Sequence, residues 1–239
     1  MTANPLRLDL DNTSGRKCHN SIHSRSSFHV LFYARRIGES GFFIDYKRGE
    51  VFMQWKLRDV VVMVILSVVC GGLYRIWDVL YPLVNTAWVP SQGMLNGLWF
   101  IASGLIPFII RRPGAALIAE LVAAMIEQAL GSQFGLQNLV WGLTQGIGAE
   151  IAFAIFAWRL YPAPVMMLSG ALAGIGASLT WYFQGGNVDT GSIIFLYFLF
   201  SVISGAIAGG MIPKWIGDAL YRAGILRNFA IAKDRAKRP

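Results

Sequence analysis

From Leu57 onward the chain is a succession of apolar stretches of roughly bilayer-crossing length, and that pattern constrains the fold more than any other feature. Hydrocarbon offers no water to a backbone, so a crossing segment must satisfy its own N–H and C=O groups, which about 20 apolar residues do as a helix. Six such stretches can be marked, over about 60–77, 93–110, 114–130, 139–158, 164–183 and 192–212. The third is shorter than average, and Pro113, Pro162, Pro164 and Pro213 sit at stretch boundaries, where a missing N–H is least costly. The pattern predicts an all-α, polytopic membrane protein with six transmembrane helices.

Composition agrees. Of 239 residues, 55% are hydrophobic and 14% charged, whereas a soluble domain carries roughly a quarter charged residues. The net charge of +8 does not point to nucleic acid, because the bases cluster at the ends and two hinges rather than on a face interleaved with aromatics. Cys18 and Cys70 are too few and too differently placed for a disulfide framework or metal site. His19, His23 and His29 precede the first helix at spacings unlike a zinc site, so neither metal nor cofactor is expected.

Three regions follow. Residues 1–52 are polar and read as a cytoplasmic tail without regular structure. A sharper expectation is that translation starts at Met53, whose basic lead-in Gln54-Trp55-Lys56-Leu57-Arg58 precedes the first helix. Residues 53–213 hold the six helices, and 214–239 form an amphipathic stretch, to about 234, with a basic tail. Lys56, Arg58, Arg111, Arg112, Arg159 and the C-terminal bases all fall on one side of the predicted membrane. The other side has Asp78, Asp189 and only Arg75 as a base, so both termini are expected in the cytoplasm of a plasma-membrane protein.

Carboxylates inside such helices cost at least about 2.5 kcal/mol unless paired, protonated, or facing water or a ligand. Glu120 and Glu127 lie seven apart on the third stretch and share one face; Gln145 and Glu150 lie on the fourth. Satisfaction by neighbouring protein groups is the plainer reading, and for Glu127, near the outward mouth, ligand contact is the sharper one. Trp77, Tyr81, Trp88, Trp99, Trp141, Trp181 and Tyr182 populate the outer half. Interface belts need such residues, but acids among aromatic rings also suit a flat cationic heterocycle. Candidate binding residues are therefore Glu127, Glu120, Glu150, Trp88, Trp99, Trp141, Gln145, Trp181 and Tyr182. Small pairs such as Ser67/Gly71 allow close helix contact, internal by default, or outward toward a partner subunit.

No phosphate loop, paired-histidine metal motif or nucleophile elbow is present, which fits a binding subunit powered by a separate ATPase or a simple carrier. The run Arg111-Arg112-Pro-Gly-Ala-Ala-Leu-Ile-Ala-Glu120, then Ile-Glu127-Gln-Ala-Leu-Gly131, then Gln145-Gly-Ile-Gly-Ala-Glu150, resembles the YkoE family. These are substrate-binding S components of energy-coupling factor (ECF) transporters, and the resemblance covers about 53–237. It implies a six-helix subunit without catalytic activity that binds thiamine or its hydroxymethylpyrimidine precursor. It also implies a membrane scaffold and two cytosolic ATPases as partners. Glu120, Glu127 and Glu150 match the family's pattern, and Ser67 and Gly71 stand where its scaffold-contact motif has two alanines. The competing expectation is a stand-alone proton-coupled carrier for a cationic heterocycle, with Glu120 and Glu150 relaying protons.

Overall fold

A computed structural model describes residues 42–45, 50–53, 55–85 and 88–232, and the chain divides between Gln54 and Trp55 into two units. In the first, strands β1 (Phe42–Asp45) and β2 (Glu50–Met53) pair antiparallel, Phe42 opposite Met53 and Asp45 opposite Glu50. Their aromatic and β-branched residues suit a pleated ladder. The hairpin stands where the sequence reading has a tail without regular structure; the rest of that tail, and the basic tail at 233–239, lie outside the described residues.

The second unit is helical throughout its described residues. Helix α1 (Leu57–Asn85) has two faces. Val61, Val64, Ile65, Val68 and Val69 point outward and exposed, while Met63, Ser67, Cys70, Tyr74 and Asp78 are buried. Apolar residues outward, small and polar ones inward, is the arrangement lipid favours. The second pass runs through α2 (Ser91–Leu95), a 3₁₀ segment (Asn96–Phe100) and α3 (Ile101–Ile110), with the break at Phe100 (φ −107°, ψ 9°). Every residue from Ala102 to Ile110 is buried, so α3 forms the axis of the bundle. It ends at Arg111, in the left-handed region.

Helices α4 (Ala115–Ala129), α5 (Gln137–Ile155) and α6 (Ala163–Phe183) follow. The last rod is continuous: α7 (Gly191–Ser204), a π-helical stretch (Gly205–Met211) and α8 (Ile212–Arg222). In packing order α1 meets α4, α4 meets α5, α5 meets α6, and α6 meets the last rod, which returns to α2 and α3. A Cβ on Gly170 of α6 would lie 1.9 Å from the Gly205 carbonyl oxygen, so only glycine permits this backbone-to-backbone contact.

Among the described residues, four helical segments are long and apolar enough to cross a membrane: Leu57–Pro82, Ser91–Ile110, Ala163–Phe183 and Gly191–Arg222. Helix α4 has 15 residues and carries two glutamates, and α5 carries Gln145 and Glu150, so both owe their place to neighbouring helices as much as to lipid. Two boundaries differ from expectation. The helix of the sixth stretch runs on through Pro213 to Arg222, carrying the start of the amphipathic segment expected from 214, because Pro213 falls in the first turn of α8, directly after the π stretch. The expected amphipathic run to about 234 breaks instead at Gly224 (φ 80°), and Leu226, Phe229 and Ile231 fold back into the core.

Candidate ligand-binding site

Helices α4 and α5 run antiparallel through the connection 130–136 and touch closely: a Cβ on Gly142 would meet Ala124, and one on Gly146 would meet Leu117. Each presents one stripe to a shared cavity. The α4 stripe is Glu120, Ala124 and Glu127; the α5 stripe is Asn138, Trp141, Gly142 and Gln145. Tyr74 and Tyr81 of α1, Asn96 and Trp99 before α3, Phe134 from the connection, and Tyr197 of α7 complete the wall. Six aromatic side chains and five polar ones make up most of this lining, the mixture by which small-molecule sites hold and orient a ligand.

Glu127 is 3% exposed, and its Oε1 accepts from Trp99 Nε1 at 2.9 Å. Tyr81 packs edge-on against Trp99, with ring centroids 5.5 Å apart, and against Phe134, so an aromatic corner surrounds this acid. Deeper, Glu120 is 1% exposed. Its Oε2 accepts from Ser103 N at 2.8 Å and from the Tyr74 hydroxyl at 3.3 Å, while Ala102 N donates to that hydroxyl at 2.8 Å. The break at Phe100 frees the first N–H groups of α3, and Glu120 and Tyr74 satisfy two of them. Glu120 and Tyr74 therefore hold the kink of the central helix while lining the cavity.

Of the residues singled out from sequence, Glu127, Glu120, Trp99, Trp141 and Gln145 meet in this cavity. Glu150 does not line it. Its carboxylate accepts from the backbone N–H groups of Gly114 (2.6 Å), Ala116 (2.9 Å) and Leu117 (3.4 Å), and from Trp158 Nε1. It thus caps the N-terminus of α4, which has no side-chain cap of its own. Trp158 reaches it from a left-handed backbone position (φ 54°) just past the end of α5. Trp88 is 48% exposed and packs edge-on against Phe200. Trp181 stacks on Tyr197 at 3.9 Å, backing the wall from behind, and Tyr182 meets Phe183 edge-on outside the cavity. Ser67 and Gly71 face inward; Ser67 is fully buried and a Cβ on Gly71 would strike Ala123 and Ile126 of α4, so the pair packs two helices of this chain.

Sequence reasoning missed Tyr74, Asn96, Phe134, Asn138 and Tyr197, and passed over Tyr81 as an interface anchor. Tyr74 and Tyr81 repeat the seven-residue spacing of the two glutamates, a signal that could have been used. Among the described residues no cluster of His, Cys, Asp and Glu could hold a metal ion.

Helices apolar enough to cross a membrane thus surround a polar, aromatic-lined cavity, the setting of a small-molecule binding site. The model of the family described as ABC-type cobalt transport system, permease component, matches residues 58–176. The chain is 31% identical over 186 residues to the protein of Bacillus subtilis (strain 168) that carries the name HMP/thiamine permease protein YkoE, covering 77% of this chain and 94% of that one. It also matches the crystal structure of an S-component of ECF transporter with a TM-score of 0.74 and 30% identity, again covering 77% and 94% of the two chains. The chain belongs to the YkoE family of ECF S components, as a multi-pass membrane subunit.

Proposed function

We propose that this subunit captures thiamine or its hydroxymethylpyrimidine precursor from outside the cell for ATP-driven uptake, working with a membrane scaffold and two cytosolic ATPases. The name of the Bacillus subtilis relative supports the substrate, and the carrying observation is Glu127, buried at an aromatic corner of the cavity. In this reading Glu127 accepts from the exocyclic amine of the pyrimidine, Trp99, Trp141 and Tyr81 pack on the rings, and Glu120 lines the deeper end of the cavity. The stand-alone carrier is not favoured, since the relatives are S components.

All six helices cross the plasma membrane with both termini inside. Arg58 and Arg112 converge on Asp59 at 3.8 and 3.7 Å, and Arg111 and Lys214 both lie over the Phe108 ring, which supports a basic inner end. The cavity acid Glu127 lies toward the other end of the bundle, beside the connection 130–136, where an external ligand would arrive.

Titration calorimetry of the purified chain tests the substrate reading. Thiamine or hydroxymethylpyrimidine should bind, and Glu127→Gln should weaken binding by about 10-fold or more, the loss of one charge-assisted hydrogen bond. Unchanged affinity in that variant would remove Glu127 from the site.

A further inference from the structure

Two asparagines line the cavity, and they are not equivalent. Asn96 spends its amide nitrogen inside the protein, donating to the Tyr197 hydroxyl at 3.1 Å and to Ser201 Oγ at 3.0 Å. Asn138 is 4% exposed, and its Nδ2 finds no hydrogen-bond partner among the described residues. A buried donor left without an acceptor is costly, so its persistence in the wall of a ligand cavity calls for an acceptor on the ligand.

Position says which acceptor. The contacts of Gly142 with Ala124 and of Gly146 with Leu117 set the antiparallel register of α4 and α5. That register puts Glu127 level with Asn138, and Glu120 level with Gln145, about two helical turns deeper. At the outer level the wall therefore offers an acidic acceptor beside an amide donor. The complementary ligand edge has an amine next to a ring nitrogen, the donor–acceptor pair of an aminopyrimidine or any amidine-like heterocycle.

We infer that Asn138 is the specificity-determining residue of the cavity, donating from its amide nitrogen to the ring nitrogen that flanks the ligand's exocyclic amine while Glu127 accepts from the amine. This rests on the substrate reading above and adds the edge of the ring that is read. An aminopyrimidine is thereby separated from a merely cationic aromatic, which would satisfy Glu127 but leave Asn138 unpaired.

The test is a cycle of two ligands against two proteins, with the full chain purified and affinities measured by calorimetry. The ligands are hydroxymethylpyrimidine and its pyridine analogue in which the ring nitrogen beside the amine is replaced by CH. Differences in the ligands' own basicity cancel in the comparison. The parent should prefer the pyrimidine, and Asn138→Ala should weaken the pyrimidine by about 10–100-fold, while leaving the analogue within about threefold, so that the preference collapses. Asn138→Asp keeps the shape, replaces the donor by an acceptor, and should weaken the pyrimidine at least as much; it serves if the alanine variant does not fold. An alanine variant that weakens both ligands by the same factor overturns the inference, whatever the parent's own preference. A parent that binds neither hydroxymethylpyrimidine nor thiamine removes the substrate reading and this inference with it. Binding of the pyrimidine with an unchanged preference removes only the role of Asn138.

Discussion

Three glutamates inside the bundle look alike on paper, and their surroundings separate them. Glu150 is consumed by three backbone N–H groups and an indole, an arrangement that stabilises the start of α4. Glu150→Ala should therefore cost about 1–2 kcal/mol of stability, in line with loss of a cap, and leave thiamine affinity unchanged in calorimetry. A loss of affinity without loss of stability would place it in the site after all. Glu127→Gln should do the reverse, weakening the ligand far more than the fold. Glu120 and Glu127 were legible as a pair because a seven-residue spacing of expensive side chains on one short helix is visible in the sequence. The capping role of Glu150 was not, because its partners Gly114 and Ala116 lie more than thirty positions away and meet it only through packing. Asn138 escaped notice for another reason: at the first turn of a helix an asparagine reads as local punctuation.

At the scale of elements, the helices were largely readable from apolar runs, and their junctions were not. The pass 163–183 is matched within a residue, while the π stretch Gly205–Met211 and the kink at Phe100 left no mark that periodicity could report. Both arise from close approach between helices. Gly170 and Gly205 each sit where a Cβ would fall within about 2.2 Å of the other's carbonyl oxygen. Gly170→Ala should accordingly cost at least the 1–3 kcal/mol of ordinary overpacking, seen as a drop in the thermal midpoint of the purified chain. Gly72→Ala, where a Cβ meets nothing within 4 Å, is the matched control and should be neutral or slightly stabilising. Equal midpoints for the two variants would mean that the α6 contact yields more readily than backbone against backbone should.

For the molecule as a whole, orientation is the property most open to a direct measurement. Val188, 87% exposed in the connection before α7, should become reactive from outside intact cells when replaced by cysteine. A cysteine at exposed Arg222 should react with the same membrane-impermeant maleimide only after permeabilisation. Reaction of both from one side would overturn the six-crossing arrangement; both variants carry Cys18→Ser, and the native Cys70 is buried and should stay silent. The kink of the central helix has its own consequence at this scale. Straightening α3 would strip the amides of Ala102 and Ser103 of the tyrosine and glutamate oxygens that hold them, so the bend, and the hollow beside it, persist before any guest arrives. A receptor whose hollow is braced by its own skeleton loses little freedom on filling, and can hold a small ligand tightly through few contacts.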